Sequence, residues 1–137
     1  MDIRVTDTPS EEDKKEIYQG LLEYNLARIE NKNVRELGVY MEDESGKKIG
    51  GLTGETHGNW LEVEYLWVDE AHRGQDIGTQ LMKKAEDIAI SRGCKYSFLN
   101  TFGFPAKGFY LKLGYNEVFT LEEYPLTGKR HYLTKTL

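Results

Sequence analysis

One cysteine, three prolines and no apolar run of membrane-spanning length stand out as the scarcities of this 137-residue chain. A lone thiol, Cys94, allows no internal disulfide. With only three scattered histidines beside it (His57, His72 and His131), no metal-ligand spacing arises, so no structural metal is expected. Cation excess is missing too. Eighteen Lys and Arg against 23 Asp and Glu leave a net charge of −5, which offers no broad attraction to phosphate backbones or anionic lipid. Neither nucleic acid nor a membrane surface is an expected partner. Residues 1–10 carry acidic and polar side chains where a secretion signal needs an apolar stretch, so a cytoplasmic location is expected.

No internal repeat, low-complexity segment or linker is visible, and a chain of this length suits one domain, 1–137. Ile3, Val5 and Asp7 alternate as a short strand would. Ser10 followed by Glu11, Glu12 and Asp13 is a helix-start signature, and Ile17, Leu21, Tyr24 and Ile29 continue it at loose helical spacing. Two strands, Leu37 to Glu42 and Lys48 to Thr56, flank a polar turn, and a second turn at His57, Gly58 and Asn59 leads into the run Trp60 to Val68. In that run Leu61, Val63, Tyr65 and Trp67 alternate with Glu62 and Glu64, which predicts a strand at the centre of a sheet with the two families of side chains on opposite faces.

From Ile77 the period becomes helical. Ile77, Leu81, Ala85, Ile88 and Ala89 share a face, with Lys83, Lys84, Glu86 and Asp87 largely opposite, up to a stop near Arg92 and Gly93. Tyr96 to Thr101 reads as a strand, Pro105 to Leu113 as a helix ended by Gly114, and Tyr115 to Leu121 and His131 to Lys135 as closing strands. The order strand, helix, three strands, helix, strand, helix, two strands is that of a mixed α/β sheet with helices on its faces.

The junction Val68-Asp69-Glu70-Ala71-His72-Arg73-Gly74-Gln75-Asp76-Ile77-Gly78-Thr79 joins the long strand to the amphipathic helix. The first N–H groups of a helix have no intrahelical acceptor and lie at the positive end of its dipole, so this turn can hold a pyrophosphate, with Gly74 and Gly78 permitting close approach. A Rossmann dinucleotide site lacks its Gly-x-Gly-x-x-Gly here, and a P-loop lacks its Gly-Lys-Ser/Thr.

These residues resemble the GNAT superfamily of acetyl-CoA-dependent N-acetyltransferases, whose coenzyme turn reads Arg/Gln-x-x-Gly-x-Gly/Ala between the fourth strand and its helix. Arg73, Gly74, Ile77 and Gly78 match, and Asp76 stands where the family usually has glycine. A second stretch, Ala106-Lys107-Gly108-Phe109-Tyr110-Leu111-Lys112-Leu113-Gly114-Tyr115, is similar to the family's Ala-x-x-Phe-Tyr-x-x-x-Gly-Phe helix, although Gly103 occupies a place where asparagine is common. The resemblance implies a mostly antiparallel twisted sheet with helices on both faces. It implies acetyl-CoA bound along Leu66, Trp67, Val68, Arg73, Gly74, Gln75, Asp76, Ile77, Gly78 and Thr79, with a strand N–H near Leu66 to Val68 polarising the thioester carbonyl. Tyr110 becomes the expected acid for the departing thiolate.

An ammonium must lose a proton before it attacks a thioester, and Glu62 and Glu64 are the candidate bases; a solvated polar face or a cation-binding wall explains the same pair. Cys94 and His72 read as structural and loop residues, and Lys129, Arg130 and His131 as part of a polar hairpin beside Tyr124 and Pro125. The expected activity is therefore acetyl transfer to an amine by direct attack. Acidic composition and Glu62 with Glu64 favour a cationic small-molecule amine as acceptor, with a protein lysine or N-terminus left open, and the resemblance implies a homodimer as the oligomeric form to expect. The competing readings are a non-catalytic acyl-CoA-binding module of the same fold and, behind it, a nucleotide-binding protein.

Overall fold

A computed structural model describes residues 1–28, 30 and 33–137. The chain divides into two compact units, Met1–Lys32 and Asn33–Leu137.

In the first unit, α1 (Glu11–Leu26) starts where the capping signature puts it. The Ser10 hydroxyl accepts from the Asp13 N–H at 3.0 Å, and Glu11, Glu12 and Asp13 bring negative charge to the positive end of the helix. The expected strand at Ile3, Val5 and Asp7 is absent: residues 1–10 adopt no regular element, and Ile3 and Val5 are exposed. Alternation over five residues gives a strand only when a neighbouring strand accepts its hydrogen bonds, and none pairs with this segment. Ile29 lies outside the described residues.

The second unit holds a six-stranded sheet in the order β1-β2-β3-β4-β6-β5, made of β1 (Val34–Glu42), β2 (Lys48–His57), β3 (Trp60–Val68), β4 (Tyr96–Thr101), β5 (Asn116–Glu122) and β6 (Lys129–Thr136). All neighbours are antiparallel except β3 and β4, so β3 is central, as its sequence predicts. α2 (Ile77–Ser91) makes the crossover between that parallel pair, and α3 (Phe104–Lys112) joins β4 to β5. Ile77, Leu81, Met82, Ala85 and Ala89 of α2 and Tyr110 of α3 pack into one core with Leu37, Leu52, Leu61, Val63, Leu99, Tyr115 and Leu133, so both helices of this unit cover the same face of the sheet. No helix among the described residues is long and apolar enough to cross a membrane.

Two sequence expectations change here. In β3 the alternation does not run through: Thr53 is opposite Tyr65 and Gly54 is opposite Val63, so Glu64 is an extra residue in a bulge. Leu61 and Val63 face the core before the bulge. After it Leu66 and Val68 do so, while Tyr65 and Trp67 are exposed at 74% and 51%. In α2, Glu86 is not on the solvated face but buried. Its Oε1 takes Lys135 Nζ at 2.7 Å, and its Oε2 accepts from the Tyr115 hydroxyl at 3.2 Å. A carboxylate is tolerated there because both oxygens are partnered.

Candidate active site

The parallel ladder between β3 and β4 is short. Trp60, Leu61 and Glu62 pair with Tyr96, Ser97 and Phe98, and beyond Glu62 and Phe98 the strands part. The edge of β3 from Val63 to Val68 therefore faces a wedge instead of a neighbouring strand, and the backbone groups on that edge have no ladder partner. Leu66, Trp67 and Val68 lie on it, paired only with β2 through Leu52, Gly51 and Gly50.

At the end of β3 a 3₁₀ turn (Glu70–His72) leads to the exposed Arg73, Gly74, Gln75 and Asp76, and then to α2. The first helical bond runs from the Gln80 N–H to the Asp76 carbonyl at 3.0 Å, so the N–H groups of Ile77, Gly78 and Thr79 have no acceptor within the helix. Gly74 has φ +84 and Asp76 φ +59, both in the left-handed region, and the Asp76 side chain makes no capping bond. That conformation accounts for glycine at this position in the resembling turn, since left-handed backbone disfavours most side chains and Asp is among the few that tolerate it. Gly78 has a different reason to be small: a Cβ there would sit 3.2 Å from Phe109 Cζ, so it makes room for α3. His72 is half-buried, with Nδ1 2.9 Å from Asp69 Oδ2, which anchors the turn.

Tyr110 stands on α3 with its ring edge-on to Phe109 and Tyr115, at centroid distances of 5.1 and 5.9 Å. Burial pushes its phenol pKa up. The ring is packed but the hydroxyl is not. No described residue hydrogen-bonds it, and no fully buried side-chain oxygen among the described residues lacks a partner, so the hydroxyl reaches open space. The neighbouring Tyr115 differs: its hydroxyl is tied to Ser97 Oγ at 2.8 Å and to Glu86.

On the opposite face of the sheet, carboxylate oxygens of Glu55, Glu62 and Glu64 lie within 4.8 Å of one another. Glu55 is directly across the β2–β3 ladder from Glu62, and Glu36 is directly across β1–β2 from Glu55. Like charges so placed repel, and no lysine or arginine among the described residues pairs with any of the four. The Glu62 carboxyl is raised above the usual range, by burial first and then by Glu64 and Glu55. Two cavities meet at Glu55: one of about 440 Å³, lined by Glu36, Tyr40, Thr53 and Glu64, and one of about 250 Å³, lined by His57, Trp60, Glu62 and Phe98. Three oxygen donors at this spacing suit an ammonium or a hard metal ion alike.

The structure thus places Glu62 and Glu64 beside one another, as their sequence positions suggest, and adds Glu55, Trp60 and Phe98, which went unnoticed in the sequence. Only strand register brings Glu55 to Glu62. Cys94 is buried, and burial pushes its thiol up, away from nucleophilic use.

The profile of the acetyltransferase (GNAT) family matches residues 2–115. The chain belongs to the GNAT acetyltransferase family. It is 34% identical over 121 residues to acetyltransferase Atu2258 of Agrobacterium fabrum, with 88% of each chain covered. It is 37% identical over 116 residues to blasticidin-S acetyltransferase of Streptomyces morookaense, covering 82% of this chain and 85% of that one. A crystal structure from Agrobacterium tumefaciens, 31% identical, matches its fold with a TM-score of 0.94 over 100% of both chains. This GNAT protein is accordingly an acetyl-transfer enzyme with a mixed α/β fold.

Proposed function

We propose that this enzyme moves the acetyl group of acetyl-CoA onto the amine of a small molecule by direct attack, at the wedge between β3 and β4. The observation that carries the reading is the open strand edge from Val63 to Val68, which runs from the carboxylates at Glu62 and Glu64 toward the turn and the N-terminus of α2. Acetyl-CoA places its pyrophosphate on the backbone of Arg73 to Thr79 and its thioester along Leu66 to Val68, where a strand N–H holds the carbonyl oxygen as negative charge develops.

Glu62 takes the proton from the incoming ammonium, directly or through a water, and its raised pKa brings it closer to the basicity that task needs. Glu64 and Glu55 raise that pKa and hold the cation. The amine nitrogen bonds to the acetyl carbon, the carbon–sulfur bond breaks, the Tyr110 hydroxyl gives its proton to the departing thiolate, and the second proton lost by the nitrogen restores the phenol through solvent. The name of the Streptomyces relative gives blasticidin S as its acceptor, which favours a small-molecule amine for this chain too.

Thermal-shift and calorimetric titration with acetyl-CoA, CoA and ATP tests the coenzyme half of the reading. Stabilisation by the first two and not by ATP is the expected outcome. Stabilisation by ATP alone would turn the site into a nucleotide pocket.

A further inference from the structure

Arg130 is an oriented cation without an anion. Its Nε donates to Asn100 Oδ1 at 2.8 Å and its Nη1 to the Tyr124 hydroxyl at 3.1 Å, while the guanidinium carbon lies 5.2 Å from the centre of the Tyr124 ring and 5.8 Å from that of Tyr132. Every one of these partners is neutral. No carboxylate among the described residues pairs with Arg130, in a chain that carries 23 of them. Amide, phenol and rings hold the planar fork still without neutralising it, and they use two of its five N–H donors.

Its position follows from strand register. Glu62 is opposite Phe98 on β4, and Asn100, two residues further along that strand, points to the same face. Asn100 is opposite Tyr132 on β6, two residues from Arg130. β3 and β4 begin to part just where Glu62 and Phe98 end their ladder. One bank of the wedge therefore carries Glu62 and Glu64, and the other carries Asn100, which the Arg130 side chain reaches from β6, the strand beyond β4. From strand spacing and rise alone Asn100 starts roughly 8 Å from Glu62, and the Nε–Oδ1 bond at 2.8 Å holds the Arg130 guanidinium at Asn100.

We propose that the acceptor amine also bears a carboxylate, and that Arg130 is the specificity-determining residue that receives it while the amine lies among Glu55, Glu62 and Glu64. The proposal rests on the acceptor reading above. A guanidinium fixed by neutral groups can offer a carboxylate two parallel N–H bonds with little further ordering, which is how a charge-assisted pair gains both strength and direction. It also explains why an acidic enzyme keeps an arginine clear of its own carboxylates at this point: an internal partner would compete with the ligand.

The test uses arginine, lysine, ornithine, histidine and tryptophan, each beside its carboxamide, as acceptors for the wild type, Arg130→Gln and Arg130→Lys, with thiol release as the readout and acetyl-CoA affinity by calorimetry as the control. The wild type is expected to favour the acid member of its best pair by about tenfold or more in kcat/KM. Arg130→Gln is expected to lose that preference by cutting turnover of the acid, with the carboxamide and acetyl-CoA affinity changed less than about threefold, and Arg130→Lys to recover part of it. Should Arg130→Gln fail to fold, the wild-type preference decides. Overturning results are a wild type that uses carboxamides as well as acids, an Arg130→Gln protein that loses both equally, or one whose only loss is in acetyl-CoA affinity, which would assign Arg130 to the coenzyme. A wild type that binds acetyl-CoA yet acetylates no amine in the set would overturn the acceptor reading itself, and this proposal with it.

Discussion

Gly54 lies so close to the backbone carbonyl of Glu62 that no side-chain carbon fits between them. The contact sits at the bulge where Glu64 is added to β3, and it lets the two strands stay paired while the alternation of β3 changes phase. Gly54→Ala should therefore force the strands apart or remove the bulge. The expected cost is about 3 kcal/mol of stability, at the upper end for overpacking, together with loss of acetyl transfer. Urea unfolding followed by a rate measurement checks both, and an Ala variant of unchanged stability would show that the backbone yields there easily.

Asp76 pays for its left-handed backbone and sets a negative charge beside the turn proposed to receive phosphate. Asp76→Gly relieves the strain, against some extra chain entropy on unfolding. It should raise stability by about 0.5–1 kcal/mol and leave acetyl-CoA affinity equal or higher. Calorimetry that found weaker binding would show that the Asp76 carboxylate is needed in the turn.

Glu62 binds its proton more tightly in the folded than in the unfolded protein. Between its unfolded and its raised folded pKa the folded state therefore holds more protons, so stability contributed at Glu62 falls as pH rises from about 4.5 upward through that window. The rate should rise through the same window as the base ionises. Glu62→Gln should flatten both slopes and lower kcat by roughly 10²-fold or more. If the variant keeps the wild-type rate profile, the base lies elsewhere.

Most of the second unit is legible in the sequence, because periodicity is a local property. β3 and β4 begin and end where their alternation does, and α2 ends one residue before Arg92. What escapes is whatever depends on residues far apart in the chain. The bulge is invisible in Leu61, Val63, Tyr65 and Trp67, which alternate smoothly, and only Gly54 on the next strand betrays it. Glu86 fits the polar side of α2 until Lys135, 49 residues away, makes it a buried ion pair. In the candidate site, the turn proposed for the coenzyme lies within one stretch of twelve residues and is visible as a strand–turn–helix junction, whereas Glu55 and the Arg130–Asn100 pair come together only through the register of four strands.

Tyr110→Phe nearly preserves the packing against Phe109 and Tyr115 and removes only the hydroxyl that reaches open space. Coenzyme affinity should stay within a few-fold, and kcat should fall about 10²-fold or more. The alkaline limb of the wild-type rate profile, set by an ionising phenol with a raised pKa, should vanish in the variant. An undiminished rate would make Tyr110 a packing residue, with solvent supplying the proton.

The wedge between β3 and β4 is proposed to carry out acetyl transfer to an amine. The most direct measurement is thiol release from acetyl-CoA across a set of small amines, with mass spectrometry of the acceptor. Thiol release is expected to require both acetyl-CoA and an amine, with one acetyl group gained by the acceptor for each thiol freed. Tight acetyl-CoA binding with no amine-dependent thiol release from any member of the set would contradict it, and would leave the fold as an acyl-CoA-binding module.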